Sequence, residues 1–190
     1  IEKLDEEKKR ADAANNAKTA FVANMSHEIR TPINSVLGMN EMIMRESKEQ
    51  NIKQYASDIQ AAAQALLGII NDILDIAKIE TGKMEIIPVN YNLRDFLYNV
   101  VNMMSIKAQS KDLELEVIVD STLPNQLEGD DIRVRQIVVN LLNNAVKYTH
   151  NGKVTLCVTK ERWENDTVFM KYEIKDTGIG IKEEDIKKLF

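Results

Sequence analysis

Apolar positions in the first part of the chain recur at steps of three and four, the spacing of one buried helical stripe. This pattern predicts a long helix that runs to about Arg45, followed by a polar turn over residues 46–51. The stripe comprises Val22, Met25, Ile29, Ile33, Val36, Asn40 and Ile43. A helix of this kind has one face that needs to be covered by another element.

A second helix with cleaner periodicity is predicted between the polar turn and Gly82, which serves as its C-terminal stop. Its stripe comprises Ile52, Tyr55, Ile59, Ala62, Leu66, Ile69, Ile73 and Ile76, widened by Ala63, Leu67, Ile70, Leu74 and Ala77. Two helices joined by a short turn form an antiparallel hairpin. Because one hairpin cannot cover so wide a stripe, we expect two hairpins to pair as a homodimeric four-helix bundle.

Residues 1–20 are charged and rich in alanine, with weak heptad spacing of Ile1, Leu4, Ala11, Ala14 and Ala17. We predict a coiled-coil signalling helix that continues inward from an upstream element. The alternative is a solvated and frayed terminus, which fits this composition about as well as the coiled-coil helix does.

The pattern changes after residue 82. Residues 84–91 are predicted as an extended edge segment, because Pro88 is tolerated only at such a position. Helices are predicted from Asn92 to about Ser110 and from a cap at Asp130 or Asp131 to about Thr149. Strands are predicted over 113–119, 127–130, 153–162 and 167–175, the last two joined as a hairpin. The predicted fold is an α/β two-layer sandwich of helices on a mixed sheet.

Composition narrows the possible partners. The 190 residues carry a net charge of −5 without a basic block, so nothing points to nucleic acid or to an anionic membrane surface. The single cysteine, Cys157, excludes an internal disulfide and fits a reducing compartment, so we expect a cytoplasmic location. The sequence contains no run of about 18 apolar residues, the length that a membrane-spanning helix needs. Membrane attachment is therefore expected only through segments upstream of Ile1.

His27 is the first candidate for chemistry. It lies two residues from both Met25 and Ile29, so at about 100° per residue it points away from the buried stripe. Thr31 follows one turn later on the same face, and Pro32 is expected to bend the helix there. A lone exposed histidine is usually an ordinary surface residue, but these neighbours favour a reacting imidazole.

A second candidate is the polar face of the helix that follows residue 130. This face carries Arg133, Gln136, Asn140, Asn144 and Lys147, opposite Val134, Val138, Leu141, Leu142 and Ala145. Asparagine is a poor helix former, and amide oxygens with a lysine suit Mg²⁺ and phosphate oxygens. Asp176, Gly178 and Gly180 follow the last strand, where glycines let backbone approach a ligand closely.

These segments resemble motifs of a known family. Residues 21–34 are similar to the phosphoacceptor box of sensor histidine kinases of two-component systems. Residues 136–149 and 176–180 resemble the N box and the G1 box of GHKL (Bergerat-type) ATP-binding domains. The resemblance implies that His27 is phosphorylated from ATP and passes the phosphoryl group to an aspartate of a response regulator receiver domain.

The same resemblance assigns roles in the nucleotide site. It implies that Asn144 holds Mg²⁺, that Asn140 and Lys147 approach the phosphates, that Tyr148 lies near the nucleotide, and that Asp176 reads the adenine amino group, beside Gly178 and Gly180. We further expect Glu28 to hydrogen-bond the His27 ring, and Thr31 to orient water for dephosphorylation of the regulator.

Three domains follow from this interpretation: a signalling helix over 1–20, a dimerisation and phosphotransfer domain over 21–82, and a catalytic ATP-binding domain over 83–190. In the family, G1 is followed by an F box, a lid and a second glycine box, and only residues 186–190 resemble the start of the F box. We therefore expect an ATP domain truncated at its C-terminal end. The alternative function is a non-catalytic dimeric relay or docking module with an incomplete ATP site.

Overall fold

The computed structural model describes the backbone of residues 2–186, and the side chains of residues 15, 18, 20–182, 184 and 185. The chain divides into two compact units, Ile1–Glu85 and Ile86–Phe190. The first is helical and the second contains both helices and strands, in agreement with the predicted fold class.

The first unit is a hairpin of two long helices, α1 (Glu2–Glu46) and α2 (Gln50–Glu80). The predicted helix over residues 1–20 is the beginning of α1, whereas the heptad side chains proposed there lie outside the described residues. The turn is shorter than predicted, since α2 already begins at Gln50. The backbone amide of Lys53 donates to the Glu49 carbonyl at 3.1 Å, which closes the first turn of α2.

Polar contacts cross between the two helices at three levels of the hairpin. The pairs are Asn40 Nδ2 with the Ala56 carbonyl at 2.6 Å, Arg30 Nη2 with Asn71 Oδ1 at 3.0 Å, and Lys18 Nζ with Glu80 Oε2 at 2.8 Å. Asn40 and Ala56 are both buried, as the predicted stripe required of Asn40. These contacts pair residues of α1 with residues of α2 near the turn, in the middle of the hairpin and at its far end, and so define the antiparallel register.

The cleanest apolar stripe of α2 does not face α1. Leu66, Ile69 and Ile73 are 46%, 56% and 49% exposed in the single chain. The neighbouring positions Ile70 and Ala77 are each only 6% exposed and form the seam with α1. Helix α1 therefore covers the edge of the stripe, at Ile70 and Ala77, and leaves the centre of the stripe exposed.

By length and composition, α2 also meets the criterion for a helix that could cross a membrane. The sequence analysis predicted that no segment is long and apolar enough to cross a membrane, and α2 contradicts this prediction by length and composition. One such helix is weak evidence, and Asp72 and Asp75 lie among its apolar residues, where a bilayer would make charges costly.

Gly82 ends α2 as predicted. It has φ +64°, and its amide donates to the Ile79 carbonyl at 3.0 Å. The amide of Lys83 donates to the Lys78 carbonyl at 2.8 Å. This pair of bonds is the Schellman arrangement, which favours glycine at the left-handed position.

The second unit contains five strands and three helices among the residues described. In chain order they are β1 (Val89–Asn92), α3 (Leu93–Gln109), β2 (Glu114–Val119), β3 (Gln126–Gly129), α4 (Asp131–Tyr148), β4 (Lys153–Glu164), β5 (Thr167–Asp176) and α5 (Glu183–Ile186). The strands form two sheets: β1 pairs antiparallel with β3, while β4 lies between β2 (parallel) and β5 (antiparallel). The larger sheet is mixed, as predicted.

The helices α3 and α4 pack against one face of the larger sheet. Fully buried residues from all three elements meet there: Val100 and Met104 of α3, Val138 and Leu142 of α4, and Val154, Leu156 and Val158 of β4. One predicted core position is wrong, because Leu141 is 46% exposed. It lies about 100° around α4 from Leu142, so it falls on the flank of the buried stripe.

Candidate functional site

His27 lies on the exposed surface of α1, as predicted, although Ile29, which was predicted to be buried, is itself 41% exposed in the single chain. The residue before it, Ser26, is only 4% exposed and donates its hydroxyl to the Val22 carbonyl at 2.8 Å. The helix therefore buries one side of this segment and presents the His27 imidazole on the other side.

Helix α1 continues through Pro32, which removes one backbone donor from the helix. Two hydroxyls beside it donate to carbonyls one turn earlier, Thr31 to His27 and Ser35 to Thr31, both at 3.1 Å. Hydroxyls that bond back in this way often accompany a bend in a helix. Thr31 and His27 are thus linked through a hydroxyl and a main-chain carbonyl.

Glu28 is exposed beside His27, and within the described part of the chain no hydrogen bond joins their side chains. The predicted contact between them stays a prediction. Arg30, one turn after His27, is instead held by Asn71 of α2 at 3.0 Å. Because Asn71 is neutral, this contact does not neutralise the positive charge of the Arg30 guanidinium.

A second group of predicted residues lies on the exposed face of α4. Asn140, Asn144 and Lys147 are all exposed, and Tyr148 is 47% exposed. The Lys147 ammonium lies 5.0 Å from the centroid of the Tyr148 ring, within the range of a cation–π contact. Amide oxygens, an ammonium group and an aromatic ring are therefore presented together at the C-terminal end of this helix.

Asp130 begins α4 and holds it to the segment before β1. One carboxylate oxygen accepts from the Arg133 amide and the other from the Ile87 amide, both at 3.0 Å. Hydrogen bonds from the Ile87 and Arg133 amides lower the pKa of Asp130 below its usual value. The cap was one of two alternatives in the sequence, whereas the link to Ile87 joins residues too distant for a sequence pattern to indicate.

The predicted glycine segment lies directly against the end of α4. The Ile179 amide donates to the Tyr148 carbonyl at 3.2 Å, and the Gly178 amide donates to Asp176 Oδ1 at 2.9 Å. A Cβ atom on Gly178 would lie 2.5 Å from the Tyr148 oxygen, which is too close for any side chain. Gly180 has φ +67°, a conformation that favours glycine. The structure therefore brings the two sequence-predicted nucleotide motifs together.

Thr177 is a member of this site that sequence reasoning missed. Its hydroxyl oxygen accepts from the Lys153 amide at 3.1 Å and its hydroxyl donates to the Asn151 carbonyl at 3.2 Å. Gly152, with φ +111°, leaves the space that this hydroxyl occupies. The Asn151-Gly152 pair is a turn signal in the sequence, but nothing in it indicates a threonine 25 residues later.

The donors present suit a hard cation that arrives with a polyphosphate. No group of three or more carboxylate, histidine or cysteine ligands occurs among the described residues. Asn140 and Asn144 instead offer exposed amide oxygens one turn apart on α4. Mg²⁺ commonly takes one or two protein oxygens and completes its shell with phosphate and water.

Two protein-family models match the chain. Residues 17–82 match the His Kinase A (phospho-acceptor) domain, and residues 129–190 match the histidine kinase-, DNA gyrase B- and HSP90-like ATPase. The first match includes His27, and the second includes α4 and the glycine segment.

Curated relatives agree with both matches. The chain is 40% identical over 187 residues to the signal transduction histidine-protein kinase BarA of Escherichia coli K12, and 40% identical over 191 residues to the virulence sensor protein BvgS of Bordetella pertussis. These alignments cover 98% and 100% of this chain, but the chain spans only 20% and 15% of the two relatives.

Solved structures show the same likeness. Full-length ShkA in complex with AMPPNP is 30% identical with a TM-score of 0.68, over 87% of this chain and 35% of that one. The histidine kinase ThkA in complex with the response regulator TrrA is 22% identical with a TM-score of 0.53, over 100% and 55%. The second likeness concerns the fold alone.

Proposed function

The chain belongs to the sensor histidine kinases, and from this premise we propose that it catalyses ATP-dependent phosphorylation of His27 and transfer of the phosphoryl group to an aspartate of a receiver domain. The observation that carries the proposal is the contact between the Ile179 amide and the Tyr148 carbonyl. It supports the proposal because residues 136–149 and 176–180, the two segments predicted to bind the nucleotide, are in direct contact, in a chain that also presents an exposed His27.

At the phosphoacceptor, neutral His27 attacks the γ-phosphorus through one ring nitrogen. Glu28 accepts a hydrogen bond from the other nitrogen, which fixes the tautomer and stabilises the imidazolium that develops. The bond between phosphorus and the leaving oxygen breaks as the new nitrogen–phosphorus bond forms, and ADP departs. Both side chains are exposed to solvent.

At the nucleotide site, the exposed face of α4 contacts the phosphates, and the segment 176–180 contacts the adenine. Asn140 and Lys147 bind phosphate oxygens, and Tyr148 packs beside the nucleotide. The Asp176 carboxylate accepts from the exocyclic amine of adenine, while Gly178 and Gly180 let the backbone come close. Asn144 would hold Mg²⁺, which when bound neutralises phosphate charge during transfer.

The partners follow from exposed surfaces. We propose that two copies pair through the open stripe of α2, which includes Leu66, Ile69 and Ile73, to form a four-helix bundle. A receiver domain accepts the phosphoryl group from His27, and Thr31 orients the water that later dephosphorylates the receiver. The reaction takes place in the cytoplasm, where ATP and receiver domains occur.

We also propose the division of labour along the chain. Residues 1–20 transmit the signal, residues 21–82 carry dimerisation and phosphotransfer, and residues 83–190 bind ATP. The break between the compact units at residue 85 supports a change of role near the second boundary.

A labelling experiment tests the proposal. The chain is incubated with Mg²⁺ and [γ-³²P]ATP, and the label should be acid-labile and base-stable, as expected for phosphohistidine. His27→Gln should abolish the label. His150→Gln, which replaces the only other histidine, should keep it. A label that persists in His27→Gln, or that is lost in His150→Gln, would overturn the assignment.

A further inference from the structure

The last turn of α4 carries Lys147 and Tyr148, two of the proposed nucleotide residues, and its terminal carbonyls have no partner within the helix. Lys111, in the turn after α3, fills part of this gap. Its ammonium group donates to the Val146 carbonyl at 2.9 Å and to the Lys147 carbonyl at 3.0 Å. One side chain from outside the helix therefore caps two successive carbonyls in the last turn of α4.

The other two terminal carbonyls are also occupied. The Ala145 carbonyl accepts from the Thr149 amide at 3.1 Å and from the Thr149 hydroxyl at 2.7 Å. The Tyr148 carbonyl accepts from the Ile179 amide of the glycine segment at 3.2 Å. The end of α4 is thus fully capped, by its own threonine, by Lys111 and by the backbone that forms the opposite wall of the nucleotide site.

Lys111 stands on a rigid support. Its own amide and the amide of Leu113 both donate to the Ala108 carbonyl at 3.0 Å. Asp112 between them has φ +54°, and its amide donates to the Gln109 carbonyl at 3.1 Å. Leu113 is 5% exposed within the core. Because the turn is pinned on both sides, the reach of the Lys111 side chain to α4 is well defined.

We infer that Lys111 is a positioning residue of the nucleotide site: it fixes the end of α4 so that the Tyr148 carbonyl receives the glycine segment and the Asn144 and Lys147 side chains face the phosphates. This inference rests on the proposed function. A cation at a helix C-terminus also offsets the negative end of the helix dipole. Lys111 therefore supports this end through charge as well as through hydrogen bonds.

Without Lys111, two adjacent carbonyls at the end of α4 depend on water alone. The last turn of a helix frays easily, and fraying here would move the Tyr148 carbonyl away from Ile179. We expect a loss of nucleotide affinity together with some loss of stability, because the last turn of α4 also carries the buried core residues Ala145 and Val146.

The test compares Lys111→Met, which keeps the length of the side chain and removes its donors, with Lys111→Arg, which keeps the charge. Binding of Mg²⁺·ADP is measured by titration calorimetry on the whole chain. Lys111→Met should weaken binding about tenfold, and Lys111→Arg should restore most of the loss. Lys107→Met is the matched control, since Lys107 lies one turn earlier and its ammonium group donates to Asn143 Oδ1 of α4, a side chain, at 2.8 Å.

A second measurement needs no ligand. Hydrogen exchange of the Ile179 amide should accelerate in Lys111→Met and not in Lys107→Met. An unchanged affinity in Lys111→Met would overturn the inference even if its melting temperature fell, because a purely structural role predicts lower stability alone. If the unaltered chain binds no ADP, the proposed nucleotide site is wrong. In that case Ile179 exchange still decides whether Lys111 holds the segment, and an unchanged rate refutes it.

Discussion

Gly178 and Tyr148 are in backbone contact that leaves no room for a side chain: a Cβ on Gly178 would lie 2.5 Å from the Tyr148 oxygen and 2.9 Å from its carbonyl carbon. Neither atom belongs to a flexible side chain, so any larger residue must displace the glycine segment from α4. The junction of the two nucleotide motifs therefore depends on the absence of one carbon atom.

Gly178→Ala should accordingly abolish measurable Mg²⁺·ADP binding and lower the free energy of unfolding by about 1–3 kcal/mol through overpacking. Gly180→Ala is the matched control. Among the described residues, no atom lies within 4 Å of a Cβ at Gly180, so the cost in free energy of unfolding comes from φ +67°, on the order of 1 kcal/mol. Calorimetry and urea unfolding measure both effects. Equal loss of affinity in the two variants would show that steric contact with Tyr148 is not the cause.

The pH dependence of the second unit should depend in part on Asp130. Backbone hydrogen bonds from Ile87 and Arg133 lower its pKa in the folded protein. A lowered pKa stabilises the fold above the unfolded value of about 3.9, and this contribution disappears as the pH falls through the folded value. Stability should therefore fall on acidification below about pH 5.

Asp130→Asn tests this point, because the amide keeps one acceptor oxygen and cannot titrate. The variant should be less stable than the original chain at pH 7, and the difference should shrink at about pH 3. Fluorescence of Trp163, the single tryptophan, reports unfolding of this unit. A stability difference that stays constant from neutral to acidic pH would contradict the assignment.

The sequence predicts the elements of this protein better than the contacts between them. Period-2 and period-3.6 patterns locate every long helix and both members of the β4–β5 hairpin, because these patterns reflect which side of an element is buried. They do not reveal the partner. The centre of the α2 stripe, including Ile69, is open in the single chain, whereas its edge at Ile70 forms the seam with α1.

The nucleotide site shows the same limit. Asn144, Lys147, Asp176 and the glycines are recognisable by motif, and the structure brings the two motifs together. The cap of α4 is not recognisable, since His150 follows the cap residue Thr149 at the position where a glycine is the usual signal. The Val146 and Lys147 carbonyls accept from Lys111, which is 35 and 36 residues away in sequence. Such long-range side-chain contacts leave no periodic trace.

Thr31 should separate two activities. Its hydroxyl donates to the His27 carbonyl and does not bond the imidazole. Thr31→Ala should therefore keep labelling of His27 within about twofold and lose most receiver dephosphorylation, by the order of 10²-fold typical of a lost water-orienting group. Thr31→Ser should retain both activities. The measurements are label incorporation from ATP and decay of phosphorylated receiver.

Ser35→Ala provides the control for Thr31, because Ser35 makes the same kind of bond to a carbonyl one turn earlier, also at 3.1 Å. It lies further from His27 and should leave both activities intact. If the alanine variants at Thr31 and Ser35 lose dephosphorylation equally, the effect comes from the helix near Pro32 and not from the Thr31 hydroxyl.

Adjacent isoleucines of α2 should separate dimer formation from folding. Ile69 is 56% exposed in the single chain, whereas Ile70 is 6% exposed against α1. Ile69→Asp should give a monomer by light scattering with helical circular dichroism retained, because the charge faces water once the second copy is absent. Ile70→Asp should instead lose helical signal, since it buries an unpaired charge within the hairpin at a cost of several kcal/mol, roughly 3 or more.

Gln64→Asp adds the same charge at an exposed polar position of α2 and should change neither mass nor helicity. An original chain that is monomeric at micromolar concentration would refute the four-helix bundle outright. A dimer that survives Ile69→Asp would place the interface elsewhere than the open stripe of α2. The stripe is too wide for one partner helix, so the expectation is that a single aspartate at its centre is enough to separate the two copies.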